Sequence, residues 1–211
     1  MRVIAFIDGF NLYHAIHDLR KHHHKWVDLW QLCSIFCPPP DLDLHQVFYF
    51  TAFATWRPAS YKRHRDYVAA LRSRGVTPVV GRFKEKDRGC FACGKTWTDH
   101  EEKETDVNLA VFLLDLAYQD AYDRALLISG DSDLVPAVRL VKSRFPGKSF
   151  RVIAPPGRGF SMDLLSVAGG KKSGKRLLET HLQACLLPNE ILAADGSVLV
   201  RRPSQYDPPV S

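Results

Sequence analysis

The chain has no apolar run approaching the roughly 20 residues of a membrane-spanning helix, so no such helix and no membrane partner are expected. It lacks the pattern of a secretory leader as well: Arg2 and a short apolar run, Val3 to Ile7, are cut off by Asp8. The expected location is cytoplasmic. Its five cysteines are an odd number, and without an export signal a disulfide framework is not expected. No Gly-x-x-x-x-Gly-Lys-Ser/Thr loop occurs, and no Gly-x-Gly-x-x-Gly follows a strand-like run, which argues against the common nucleotide-cofactor sites. An Asp-x-Asp after the first strand, as a phosphatase working through an aspartyl-phosphate would need, is missing because position 10 is Phe10. Internal repeats are absent.

What is present fits one domain with a full core: 211 residues, 45% hydrophobic and 25% charged. The net charge is +6 and the pI is about 9.1, a balance that suits a polyanionic partner without establishing one. Strand-like runs occur at 3–7, 47–54, 76–80, 124–128 and 150–154. Helical patterns lie near 11–20, 60–74, 105–119, 133–144 and 162–168, and a closing helix is expected over 177–187. Such alternation predicts βαβ units around a mainly parallel sheet. The runs at 3–7 and 124–128 are apolar throughout, as central strands covered on both faces should be.

Three places carry acids in one kind of setting. Asp8 ends the first strand-like run, Asp131 and Asp133 follow another within Ser129-Gly130-Asp131-Ser132-Asp133, and Asp106 opens an apolar helix. In an open parallel sheet, ligands bind beyond the carboxyl ends of the strands, so these carboxylates are expected to converge. Each has a plain structural alternative: Asp131 or Asp133 as a helix N-cap, Asp8 in an Asx turn, Asp106 as a favourable charge at a helix start. Converging carboxylates repel unless a cation holds them, and oxygen ligands suit Mg²⁺ or Mn²⁺. A pair of such ions supports phosphodiester hydrolysis.

The phrases Ile7-Asp8-Gly9-Phe10-Asn11-Leu12, Lys103-Glu104-Thr105-Asp106-Val107 and Ile128-Ser129-Gly130-Asp131-Ser132-Asp133-Leu134 resemble, in order, the three motifs of NYN domains in the PIN-like ribonuclease superfamily. The resemblance covers about residues 1–190. It implies a three-layer α/β/α sandwich and a metal-dependent ribonuclease, with Asp8, Asp106, Asp131 and Asp133 as acidic ligands of Mg²⁺ or Mn²⁺. It also implies that Asn11 and Ser129 orient those ligands and that Lys103 reaches the scissile phosphate, the alternative for Lys103 being a solvated lysine. Glu104 is expected to face elsewhere on its helix. A PIN-like scaffold that binds RNA or a protein without turnover is the competing expectation.

Residues 81–101 interrupt the alternation and read as a basic insertion containing Cys90-Phe91-Ala92-Cys93. The pair is half a structural zinc site, with His100 as a third ligand and Cys33, Cys37 or one of His22, His23 and His24 as a fourth. Free thiols are the alternative. RNA is the expected partner, through Arg57, Lys62, Arg63, Arg65 and Arg158, with Trp56, Tyr61, Phe91 and Trp97 available to stack bases. A homodimer or a protein partner fits as well. Lys171 to Arg176 reads as an exposed basic loop, and residues 191–211 as a mobile tail.

Overall fold

The computed structural model describes residues 1–209. In chain order the elements are β1 (Arg2–Asp8), α1 (Gly9–Asp18), α2 (Leu29–Ser34), β2 (Asp43–Ala52), α3 (Pro58–Ser73), β3 (Val76–Gly89), β4 (Thr96–Lys103) and α4 (Thr105–Tyr118). They continue with β5 (Arg124–Ile128), α5 (Val135–Arg144), β6 (Ser149–Ala154), α6 (Met162–Ala168), β7 (Gly174–Arg176), α7 (Glu179–Ala184), β8 (Glu190–Leu192) and β9 (Val198–Arg201). Seven strands form one sheet in the order β4-β3-β2-β1-β5-β6-β7. Only the β3–β4 pair is antiparallel.

The chain runs outward from β1 through β2 to β3, then crosses back to β5 on the other side of β1. The carboxyl ends of β1 and β5 therefore flank the place where the winding reverses, which is where a crevice opens in such sheets. Ile7 is level with Ile128 in the β1–β5 ladder, so both strands end together.

Alternation along β1 defines the layers. Val3, Ala5 and Ile7 enter a core with Leu12 and Ile16 of α1, Leu29 and Leu32 of α2, Val68 and Leu71 of α3, and Leu182 of α7. Ile4 and Phe6 enter the opposite core with Leu109 and Leu113 of α4, Val138 and Val141 of α5, and Leu164 of α6. The fold is thus an α/β/α sandwich about a mainly parallel sheet. Leu109, Leu113 and Ala117 put one apolar stripe of α4 on the sheet. Burying a leucine of this kind contributes about 1.5–3 kcal/mol.

Several expectations need correction. The basic insertion is a long hairpin, in which β3 runs on from Val76 to Gly89 and pairs with β4. Its cations are offset by Glu85, Asp87, Asp99 and Glu101, with pairs such as Lys86–Glu101 and Arg88–Asp99 across the strands. The basic loop is a 3-10 turn at Lys171–Ser173 followed by the edge strand β7. The closing helix spans only Glu179–Ala184. The expected mobile tail contains the hairpin β8–β9, whose Ile191 and Val200 pack on Trp26, Ala70 and Leu187. Val210 and Ser211 lie outside the described residues.

Candidate metal centre

Asp8 belongs to the same face of β1 as Ile4 and Phe6, the face covered by α4. It is 4% exposed and caps α1: its Oδ1 accepts from the Asn11 amide at 2.9 Å. Its Oδ2 accepts from the Ser129 hydroxyl at 2.9 Å. Gly9 follows because a side chain there is impossible, since a Cβ would stand 2.4 Å from the Phe50 carbonyl oxygen. Ser129 is fully buried just past β5, and its Oγ also accepts from the Asp131 amide at 3.0 Å. Asn11 ties the two strand exits together, its side-chain oxygen accepting from the Gly130 amide at 3.0 Å. Asp131 Oδ1 in turn accepts from the Asp133 amide at 2.8 Å. Two hydrogen bonds therefore fix the loop after β5 to the exit of β1, and two more hold the loop's own turn.

Asp106 reaches the same place from the first turn of α4. One ligand oxygen from each of Asp8, Asp106 and Asp131 lies within 4.8 Å of the others. Burial first, then the charges of Asp8, Asp131, Glu102 and Asp133, push the Asp106 carboxyl up to about 6. Burial also raises Asp8, against the hydrogen bonds from Asn11 and Ser129 that favour its ionised form. Three carboxylates gathered at this spacing form a hard-oxygen donor set matching a divalent cation such as Mg²⁺ or Mn²⁺. The cleft around them is about 410 Å³, bordered also by Phe10, His14, Glu102, Arg158 and Gly159.

Other expected residues sit differently. Asp133 is exposed and outside the three-carboxylate group, because its backbone turns the loop back to Asp131. Lys103 pairs with Glu101 at 2.8 Å; in β4 these two share a face, whereas His100 and Glu102 share the other and border the pockets. Arg158 borders the cleft and pairs with Asp18. Arg57 and Arg63 border an adjoining cavity, but Lys62 pairs with Asp66 at 2.7 Å and Arg65 lies 5.5 Å from the Tyr61 ring. On α3, residues 60, 63, 64 and 67 form the stripe facing that cavity, and 62 and 65 fall outside it.

Cys90 and Cys93 occupy the turn of the β3–β4 hairpin, where the Gly94 amide donates to the Cys90 carbonyl. His100 is level with Glu85, four residues down β4 from Thr96, and stacks on Trp56 at 3.6 Å. At about 3.3 Å per residue, that is roughly 13 Å from the turn. Cys33 and Cys37 are buried in the core beyond α1. Among the described residues, no third metal-binding side chain joins the cysteine pair.

Glu102 is an acid that the sequence reading passed over. Its Oε1 accepts from the Thr105 amide at 3.0 Å and from the Thr105 hydroxyl, so it caps α4 while facing the cleft. Glu104 makes the turn into α4 at a φ of 79°. Gly81 gives room for this junction, since a Cβ there would approach the Lys103 carbonyl to 2.7 Å. The signal for Glu102 is its parity with His100 on a strand, hidden where the segment before it reads as a basic insertion.

A crystal structure of a Vibrio parahaemolyticus protein of unknown function aligns over 88% of this chain and 96% of that one, with a TM-score of 0.56 and 19% identity. The fold is thus found in a solved protein. Among curated proteins, 6-hydroxy-3-succinoylpyridine 3-monooxygenase HspA of Pseudomonas putida is 25% identical over 232 aligned positions, covering 90% of this chain and 72% of that protein. The NYN domain profile matches residues 2–169, which takes in all three acidic segments and every strand from β1 to β6. The chain belongs to the NYN domain family, a family of nuclease type.

Proposed function

We propose that the protein is a Mg²⁺- or Mn²⁺-dependent ribonuclease hydrolysing RNA phosphodiester bonds, most simply as an endonuclease. The observation that carries this reading is the meeting of Asp8, Asp106 and Asp131 within 4.8 Å, in a chain of the NYN family. Asp8, Asp106 and Asp131 would hold the cation, with Asp133 beside them to bind its water shell. When bound, the cation supplies Lewis-acid stabilisation of charge on the phosphate and makes a water more acidic. Ser129 and Asn11 hold Asp8 and the Gly130–Asp131 backbone in place. Such outer hydrogen bonds fix ligand orientation. A bound cation would offset the burial and repulsion that raise Asp106 to about 6. Arg158 at the cleft edge suits the RNA backbone.

Asp8→Asn should abolish Mn²⁺-dependent cleavage of single-stranded RNA while leaving the fold intact by circular dichroism. Unchanged cleavage by this variant, with contaminants excluded, ends the proposal. A binding module without turnover predicts a different pattern: RNA binding that is indifferent to Mn²⁺ and to Asp8→Asn.

A second reading is favoured by one observation, an aromatic cavity of about 430 Å³ beside the cleft, together with the likeness to a hydroxypyridine monooxygenase. On that reading the chain oxidises a small heteroaromatic ring with O₂ and a two-electron reductant. Oxygen uptake dependent on a hydroxypyridine and a reductant would support it, and none at all would remove it.

A further inference from the structure

The cavity beside the acidic cleft is absorbed by none of the residues proposed for catalysis. Phe10, His14 and Glu102 border both spaces, so each opens beside the other. Its volume of about 430 Å³ lies in the range of sites that enclose a small organic ligand, roughly 300–1,000 Å³. Its walls are largely rings. Trp56 stacks on His100 at 3.6 Å and 11°, and Phe83 meets Trp56 edge-on at 4.7 Å. Phe10 meets Phe83 edge-on at 5.7 Å. This chain of contacts fixes the plane of the indole.

Besides Glu102 on the side toward the cleft, the polar groups of the cavity are of two kinds. Tyr49, Thr51 and His64 lie deep, with His64 Nε2 3.2 Å from the Thr51 hydroxyl. They offer neutral donors and acceptors; burial keeps the His64 imidazole unprotonated at neutral pH. Cations also border the space, as Arg57, Arg63 and Lys25. Planar walls, a neutral hydrogen-bonding floor and cationic edges match a base attached to a phosphate better than they match a purely apolar ligand.

We infer that this cavity is a nucleobase subsite, holding one unstacked base of a single-stranded RNA next to the phosphate that enters the acidic cleft. Trp56 is its stacking platform, and Tyr49, Thr51 and His64 read the base edge. Arg57 and Arg63 contact the flanking backbone. The inference rests on the ribonuclease reading for the identity of its ligand, but not for its binding chemistry. A free heteroaromatic acid shares that ring chemistry, and the test separates the two.

Binding is measured in EDTA, so that no cleavage intervenes, by fluorescence anisotropy with a single-stranded 12-mer RNA. The comparison set carries one abasic residue walked along that RNA, with Trp56→Ala and Ala54→Phe as variants. Ala54 borders the cavity, and phenylalanine there fills it without removing the platform. One abasic position should weaken binding by roughly 5- to 150-fold, the worth of one stacked base. Each variant should weaken the intact RNA by a similar factor and cancel the abasic penalty. Equal binding of all abasic RNAs overturns the inference, as does undiminished binding by both variants. Saturable binding of a free hydroxypyridine acid or free nucleoside monophosphate, with no abasic penalty in RNA, assigns the cavity to a free ligand and also overturns it. An abasic penalty in a protein that never cleaves RNA removes the ribonuclease reading and leaves the subsite standing. Cleavage without a penalty does the reverse.

Discussion

The acidic cleft and the aromatic cavity share Phe10, His14 and Glu102, and burial disfavours charge on both sides, raising an acid on one and lowering a base on the other. In the cleft it falls on carboxylates fixed by hydrogen bonds to Asp8 and by the first turn of α4, and Asp106 rises to about 6. In the cavity it falls on His64, which drops to about 4. Asp106, raised to about 6 and still mostly ionised at pH 7, is a charge kept at a cost; His64 is a charge not formed at that pH. The proposed cation would complete the first side, whereas the His64 floor of the second is already neutral. A single wall thus separates a place for a metal from a place for a ring.

The largest expected effect breaks this contrast inside the cleft. Asp131→Asn should lower Mn²⁺ affinity by more than about 100-fold, beyond the loss usual for an outer hydrogen-bonding partner. Asp133→Asn, outside the three-carboxylate group, should stay within about tenfold. Calorimetric titration compares them, and equal losses would put Asp133 on a par with Asp131.

On the cavity side, His64 has a folded value below its unfolded one, so the unfolded chain binds the extra proton. Stability should fall as pH drops through the window from about 6.5 to about 4, by about 3 kcal/mol when complete. His64→Phe should flatten this portion of the pH profile in urea unfolding. A profile identical to the parent's means that His64 is not held neutral.

Asp106 has the opposite sign. Its folded value lies above its unfolded value, so the cost is absent below about pH 4 and fully present above about pH 6. Asp106→Asn should therefore stabilise the metal-free protein at pH 7 by about 1–2 kcal/mol, discounted for partial exposure. The same variant should lose the rise in Tm that Mn²⁺ gives the parent. A variant less stable than the parent without metal would show that burial and the neighbouring carboxylates do not raise Asp106. The smallest effect belongs to the hairpin turn, far from both spaces: Cys93→Ser should change stability by no more than about 0.5 kcal/mol, and EDTA should not alter that result. A large chelator-sensitive loss would restore a zinc role to Cys90 and Cys93.

The sandwich was legible because its central strands are buried on both faces. Val3 to Ile7 and Ala125 to Ile128 are unbroken apolar runs, and the acids stand where those runs end. Asp8 and Asp131 are placed by those runs, and Asp106 by the apolar helix that it opens. The β3–β4 hairpin was not legible, because it extends past the helices and carries charge on both faces, leaving no alternation to read. Losing that strand hid Glu102. The β8–β9 hairpin was missed for another reason. Ile191 and Val200 are isolated apolar residues in a polar stretch, and their partners Trp26 and Ala70 are remote in sequence. The aromatic cavity has the same origin: Phe10, Trp56, Phe83 and His100 come from four separate segments, and only the sheet order brings them together.

The central claim is that Asp8, Asp106 and Asp131 jointly hold a divalent cation. Anomalous scattering at the manganese edge from crystals soaked in Mn²⁺ tests it most directly. The account predicts a peak bounded by carboxylate oxygens of all three residues, at about 2.0–2.6 Å, and absent from Asp131→Asn crystals. No peak in the cleft, or a peak held by other residues with these three turned away, would contradict it.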